Sequence, residues 1–260
     1  MAARPRFLCL HGYGQNGAFF RTRTGALRKA LKSADFYFLD APYTARASFI
    51  QDEALRGAAL SWWDFEKRDS RPSKSEEYVG LEAALERVRL AIERDGPFDG
   101  ILGFSQGATL AAMLCLLPPA PPPVKLVVLV AAFLPQGADM RAHFQPRALE
   151  LPSLHIMGED DQLVPMASSA AVADCFIGQQ TVTHPGGHAV PASAPVRNAL
   201  KCFVEKALSD CSGSPLAEDR IDGGSNQSAS GGHKGSLKAS VQADPCMESS
   251  WRRWAAIRNS

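Results

Sequence analysis

The chain has 260 residues, 45% of them hydrophobic, and a net charge of +1. That length and composition suit one globular domain with a well-buried core, and the balanced charge gives no footprint for a nucleic acid or an electrostatically held membrane. Six cysteines lack any CxxC pair or framework spacing, and the longest apolar run, residues 126–134, falls well short of the roughly 20 residues a membrane-spanning helix needs.

The apolar run near the start, residues 7–10, is too short for the core of a secretory signal. A protein of the cytoplasm, or the nucleus, with reduced thiols is the expectation. In chain order, residues 6–10 (RFLCL) read as a strand that ends at His11-Gly12-Tyr13-Gly14. Residues 24–32 have helical spacing, and residues 36–39 (FYFL) form a second strand ending at Asp40-Ala41-Pro42. A long stretch, 43–75, shows no regular period but carries Phe49, Ile50, Trp62, Trp63 and Phe65.

Residues 78–94 are strongly helical, with Val79, Leu81, Leu85, Val88 and Ile92 on one stripe. Gly96-Pro97 stops that helix, and residues 98–104 (FDGILGF) make the next strand. Residues 108–117 form a helix apolar nearly all round, which predicts burial. Residues 125–131 (KLVVLVA) are a continuous apolar run, as in a central parallel strand. Residues 153–157 and 180–183 give two more strands, and 195–208 a closing helix. Strands alternating with helices predict an α/β fold with a mostly parallel sheet flanked by helices. From Ser209 onward Ser, Gly, Asp and Asn dominate and no period survives. The expectation is therefore a folded unit over 1–208 and a disordered tail over 209–260. Within the tail, residues 251–257 (WRRWAAI) could make one short amphipathic turn.

Gly103-Phe104-Ser105-Gln106-Gly107 matches G-x-S-x-G between an apolar strand and an apolar helix. A nucleophile elbow has that context, because its serine sits on a strained strand-to-helix turn. A serine hydroxyl is a weak nucleophile and needs a base, and the base needs an orienting acid. In such folds they follow the serine in the order acid, then histidine. His188 follows Gly186-Gly187 in a loop after the last strand and is the expected base, with His184 its rival at the strand end. His155 lies inside an apolar strand and reads as a packed core residue. The spacing of HPGGH mimics a zinc helix, but Pro185 and the two glycines forbid that helix, so no metal site is expected. For the acid, Glu159-Asp160-Asp161 follows the strand at 153–157, and Asp161, four residues before Pro165, is the choice over Asp160. Two backbone N–H groups should hold the oxyanion: that of Gln106 and, from the glycine-rich turn after the first strand, that of Tyr13.

Taken together, LCLHGYGQN (8–16), GPFDGILGFSQGA (96–108), LPSLHIMGEDDQLVP (151–165) and THPGGHAVP (183–191) resemble the small serine hydrolase family that includes the ovarian-tumour-associated esterase and its fungal relatives. Trp62-Trp63 and the turn Phe133-Leu134-Pro135 also resemble family features, whereas Ala131-Ala132 stands where Ser-Gly would be expected. The resemblance covers about residues 5–208. It implies hydrolysis of carboxylic esters without cofactor, no large lid domain, and Ser105, Asp161 and His188 as nucleophile, acid and base. The expected partner is a small ester, with Trp62, Trp63 and Phe133 either lining a pocket for an apolar acyl chain or capping the core. The rivals are an acyl thioesterase or lysophospholipase with the same triad, and a non-catalytic ligand-binding protein of the same fold, which typically lacks a triad member.

Overall fold

The computed structural model describes residues 3–46, 55, 57–65, 71–118 and 121–210. Six strands form one sheet in the order β2-β1-β5-β6-β7-β8, every neighbouring pair parallel. They are β1 (Arg6–Leu10), β2 (Asp35–Leu39), β5 (Gly100–Phe104), β6 (Leu126–Val130), β7 (Ser153–Gly158) and β8 (Gln180–His184). The central strands β5, β6 and β7 are buried along their whole length, which is why their sequences run apolar without alternation. Two further short strands, β3 (Tyr43–Thr44) and β4 (Leu60–Ser61), pair antiparallel beside the main sheet.

Successive side chains of a strand face opposite sides, so the sheet separates two cores. Leu8 and Leu10 face the side covered by α3 (Leu81–Asp95), α4 (Gln106–Leu116) and α6 (Met166–Ala173). Phe7 and Cys9 face α1 (Gly17–Arg23), α2 (Gly25–Ala30) and α7 (Ala194–Asp210). A short α5 (Ala138–Arg141) follows β6. Helix α4 has a buried residue at every position from Gln106 to Cys115, as an all-round apolar sequence requires.

Several boundaries differ from the sequence expectation for local reasons. The helix expected over 24–32 begins earlier, as α1, where Asn16 accepts a hydrogen bond from the Phe19 N–H at 2.8 Å. It breaks at Thr24, whose hydroxyl turns back to the Phe20 carbonyl, and resumes as α2. The helix expected from Tyr78 starts only at Leu81, after Gly80 in a left-handed conformation. Val79 therefore leaves the buried stripe: it pairs with Asp64 across a β-bridge and is 51% exposed. The last helix runs to Asp210, two residues past the expected boundary. Phe49, Ile50 and the segment 211–260, including residues 251–257, lie outside the described residues.

Candidate active site

Strand β5 runs straight into α4 through Ser105, which has φ 52° and ψ −117°. A left-handed φ at a residue with a Cβ stores about 1–3 kcal/mol of strain. Its N–H donates to the Val130 carbonyl at 2.8 Å, tying the turn to the end of β6. The flanking glycines answer to contact. A Cβ on Gly103 would fall 2.5 Å from the Ala108 Cα, and one on Gly107 would overlap the Leu10 and His11 carbonyls at the end of β1. The pentapeptide is thus the packing solution for a helix starting directly over the sheet edge.

Three side chains from three separate loops meet at this turn. His188 Nε2 lies 2.9 Å from Ser105 Oγ, and His188 Nδ1 lies 2.7 Å from Asp161 Oδ2. With Asp161 ionised, Nδ1 carries the proton and donates it, so Nε2 is the acceptor for the Ser105 hydroxyl. The other oxygen, Asp161 Oδ1, accepts from the N–H groups of Leu163 and Val164 at 2.9 and 2.8 Å, an Asx-type turn that fixes the carboxylate plane. Burial pushes the Asp161 carboxyl up, but the hydrogen bonds from His188 and the two backbone N–H groups outweigh it and hold it below the ordinary carboxylate range. Asp160 and Glu159 are exposed. Glu159 accepts from the Thr183 hydroxyl at 2.8 Å, and Asp160 offers its backbone carbonyl to Gln162. Of the three adjacent acids, Asp161 is the one that faces the imidazole.

The loop carrying His188 rests on the loop carrying Asp161. The Glu159 N–H donates to the His184 carbonyl at 2.9 Å, and a Cβ on Gly158 would fall 2.5 Å from the Gly186 carbonyl oxygen. His184 sits at the end of β8, where its Nδ1 accepts from the Gly186 N–H at 3.2 Å, and burial lowers its pKa. His155 lies in β7 beside Ser153 Oγ and Phe176, with burial pushing its pKa down to about 3. Neither of these rings joins the Ser105 relay.

On the other side of Ser105 lies the turn after β1. A Cβ on Gly12 would stand only 3.4 Å from the Ser105 Cβ, so the backbone of the His11–Gln15 turn borders Ser105. The N–H groups of Gln106, Gly107 and Ala108 occupy the first turn of α4, where no helical acceptor exists. Their dipoles point toward Ser105. Tyr13 sits in the His11–Gln15 turn, its hydroxyl accepting from the Arg46 N–H at 3.0 Å.

Trp62, Trp63 and Phe133, expected either to line a pocket or to cap the core, are 0%, 0% and 1% exposed and belong to the core under α4. Their rings therefore present no open wall: Trp63 packs against Tyr78 and Phe133, and Phe133 is fixed through its N–H to Thr109 Oγ1 at 2.9 Å. Sequence reasoning gave Gln106 only a backbone role. Its side chain is fully buried and bonds both tryptophan backbones: Oε1 accepts from the Trp62 N–H and Nε2 donates to the Trp63 carbonyl, each at 2.9 Å. The available signal was a lone long amide at the head of an otherwise apolar helix. Among the described residues no group of three or more His, Cys, Asp or Glu side chains is arranged to hold a metal ion, and no helix is long and apolar enough to cross a membrane.

A family model described as serine hydrolase (FSH1) matches residues 1–200. The human protein named esterase OVCA2 is 41% identical over 226 residues, covering 79% of this chain and 98% of its own length. Its zebrafish counterpart is 37% identical over 229 residues, covering 79% and 99%. Among solved structures, Arabidopsis thaliana SOBER1 superposes with a TM-score of 0.59 at 20% identity, covering 79% of this chain and 100% of that one. Esterase PE8 gives 0.58 at 20% identity, covering 79% and 94%. At such identities the two structural likenesses speak for the fold.

Proposed function

The chain belongs to the FSH1 serine hydrolase family, and from that premise we propose that it is a carboxylesterase working through Ser105, His188 and Asp161. The observation that carries this reading is the continuous relay from Asp161 Oδ2 through the His188 ring to Ser105 Oγ, at 2.7 and 2.9 Å. His188 Nε2 takes the Ser105 proton as Oγ attacks the ester carbonyl. The charge that develops on the carbonyl oxygen is met by the N–H of Gln106, at the head of α4, and by that of Tyr13. His188 then protonates the leaving alkoxide. In the second half it deprotonates a water that attacks the acyl-enzyme and restores Ser105. Asp161 keeps the proton on Nδ1 throughout and stabilises the imidazolium between steps.

The folded unit that ends with α7 supplies every group in this scheme, so it is the catalytic unit. A small ester is the substrate, and neither metal nor nucleotide enters any step. A reducing compartment, cytoplasm or nucleus, fits the free thiols of Cys9, Cys115, Cys175 and Cys202. The test is hydrolysis of matched p-nitrophenyl esters and acyl thioesters of graded chain length, together with mapping of fluorophosphonate labelling. Preference for the oxygen esters and labelling on Ser105 are expected. Labelling elsewhere, or thioester turnover that dominates at every chain length, would overturn the proposal.

A further inference from the structure

The two backbone donors assigned above come from segments far apart in sequence, and a short run of buried hydrogen bonds joins them. Its first link is the Gln106 side chain, which bonds the N–H of Trp62 and the carbonyl of Trp63. The next is the Trp62 indole, whose Nε1–H donates to the His11 carbonyl at 2.8 Å while its ring lies 5.2 Å from the His11 ring. His11 then braces its own turn: Ala41 N–H donates to Nε2 at 3.1 Å, which leaves the ring proton on Nδ1 to donate to the Gly12 carbonyl at 2.8 Å. Burial pushes the His11 pKa down to about 4, so this neutral form persists at pH 7. The far end of the turn is held by the same segment, for Gly14 N–H donates to the Leu60 carbonyl and Leu60 N–H to the Gln15 carbonyl, at 2.9 and 2.7 Å.

We propose that Gln106 and Trp62 are positioning residues, clamping the 60–63 segment between α4 and the His11–Gln15 turn so that the N–H groups of Gln106 and Tyr13 stay aimed at one oxyanion. The inference rests on the catalytic reading above and gives the paired tryptophans a role that their burial permits. An oxyanion site works only if its dipoles are fixed before charge develops, since reorganising them during reaction forfeits the stabilisation. Hydrogen bonds among fully buried groups have no water to exchange with, so the clamp holds its geometry without competition.

Trp62→Phe tests this, since it keeps an aromatic ring in the core and deletes only the indole donor and some volume. Trp63→Phe is the matched control: Trp63 is equally buried, but its Nε1 has no hydrogen-bond partner among the described residues. Gln106→Met removes both amide bonds at nearly constant size. For each variant, kcat and KM on p-nitrophenyl acetate, the Ki of an alkyl trifluoromethyl ketone and the melting temperature are measured per fluorophosphonate-titrated site. The ketone's tetrahedral adduct places an oxyanion where the clamp acts. Trp62→Phe and Gln106→Met should lower kcat by about 10- to 100-fold with little change in KM, and raise Ki by the same factor. Trp63→Phe should lower the melting temperature comparably and raise Ki by far less. Equal rises in Ki for Trp62→Phe and Trp63→Phe, or an unchanged Ki in Trp62→Phe, would overturn the clamp while leaving the triad intact. Failure of the wild-type chain to label at Ser105 would overturn both.

Discussion

The two flanks of Ser105 are held by different means. On the oxyanion flank, His11, Trp62 and Gln106 are fully buried, and their bonds join the segments just after β1 and β4 to the head of α4. On the acid–base flank, Glu159, Asp160 and Gly186 are exposed and the His188 side chain is 16% exposed. The two segments there are tied by the His188–Asp161 contact and by the Glu159 N–H to the His184 carbonyl and the Thr183 hydroxyl to the Glu159 carboxylate. The difference suits the work proposed for each flank. Dipoles that must be aimed before the reaction starts belong in a dry, crowded interior. A ring that must pass a proton between a serine, a leaving group and a water needs a loop with some freedom.

Ser105 is where the flanks meet, so its loss should have the largest effect. Ser105→Ala should lower kcat by roughly 10⁶-fold and abolish fluorophosphonate labelling while preserving circular dichroism. Retained labelling would move the nucleophile elsewhere. Next comes the acid–base flank alone. Asp161→Asn should cost about 10⁴-fold in kcat, because an amide leaves the His188 proton on the wrong nitrogen. Asp160→Asn, at an exposed carboxylate, should cost far less, and a reversed order would shift the acid to Asp160.

Acid should destabilise the fold through its buried histidines. Burial holds His11 at about 4 and His155 at about 3, against an ordinary value of 6.5. A lowered histidine pKa means the unfolded chain binds protons that the folded one refuses. Stability is therefore full above pH 6.5 and falls as pH drops from 6.5 toward 4. Urea midpoints at pH 7, 6, 5 and 4 should record a loss of several kcal/mol, and His155→Leu should flatten the slope. A flat profile in the wild type would show that these rings admit protons freely.

A smaller effect is expected next to the elbow, at Ala131, whose φ of 51° also carries left-handed strain. At Ser105 the strained turn sets Oγ 2.9 Å from His188 Nε2, whereas Ala131 carries only a methyl. Ala131→Gly should stabilise the fold by about 1 kcal/mol in denaturant titration. Destabilisation would mean that the Ala131 methyl packs better than its backbone suffers. Smallest of all, a chain ending at Asp210 should keep its melting temperature and esterase activity, and a fall in either would extend the catalytic unit past α7.

The sequence made the scaffold legible where a local rule governs. Continuous apolar runs marked β5, β6 and β7, and the apolar strand and helix on either side of G-x-S-x-G marked the turn from β5 into α4. The loops that carry Asp161 and His188 were readable because each directly follows a strand end, of β7 and of β8. Helix α1 was missed because its stripe is short and Thr24 breaks the period within two turns. Val79 was misplaced because Gly80 delays the helix start, which periodicity alone does not register. The Gln106 clamp had no local signature, since its partners lie 44 and 43 residues away. Aromatic residues in a loop look the same in sequence whether they line a cavity or fill a core, and only packing distinguished them.

The pair Trp62 and Trp63 also has an optical consequence. Of the four tryptophans in the chain, the other two stand at 251 and 254, so a chain ending at Asp210 would emit only from two indoles shut away from water. Its fluorescence should be strongly blue-shifted, and the two emitters should differ, one with its N–H engaged by the His11 carbonyl and the other without a partner among the described residues. Protonation of the adjacent His11 ring would quench Trp62 preferentially, because an imidazolium accepts an electron from an excited indole far better than a neutral ring does. Steady-state emission thus provides a spectroscopic window on the buried flank of Ser105, in solution and without any added label.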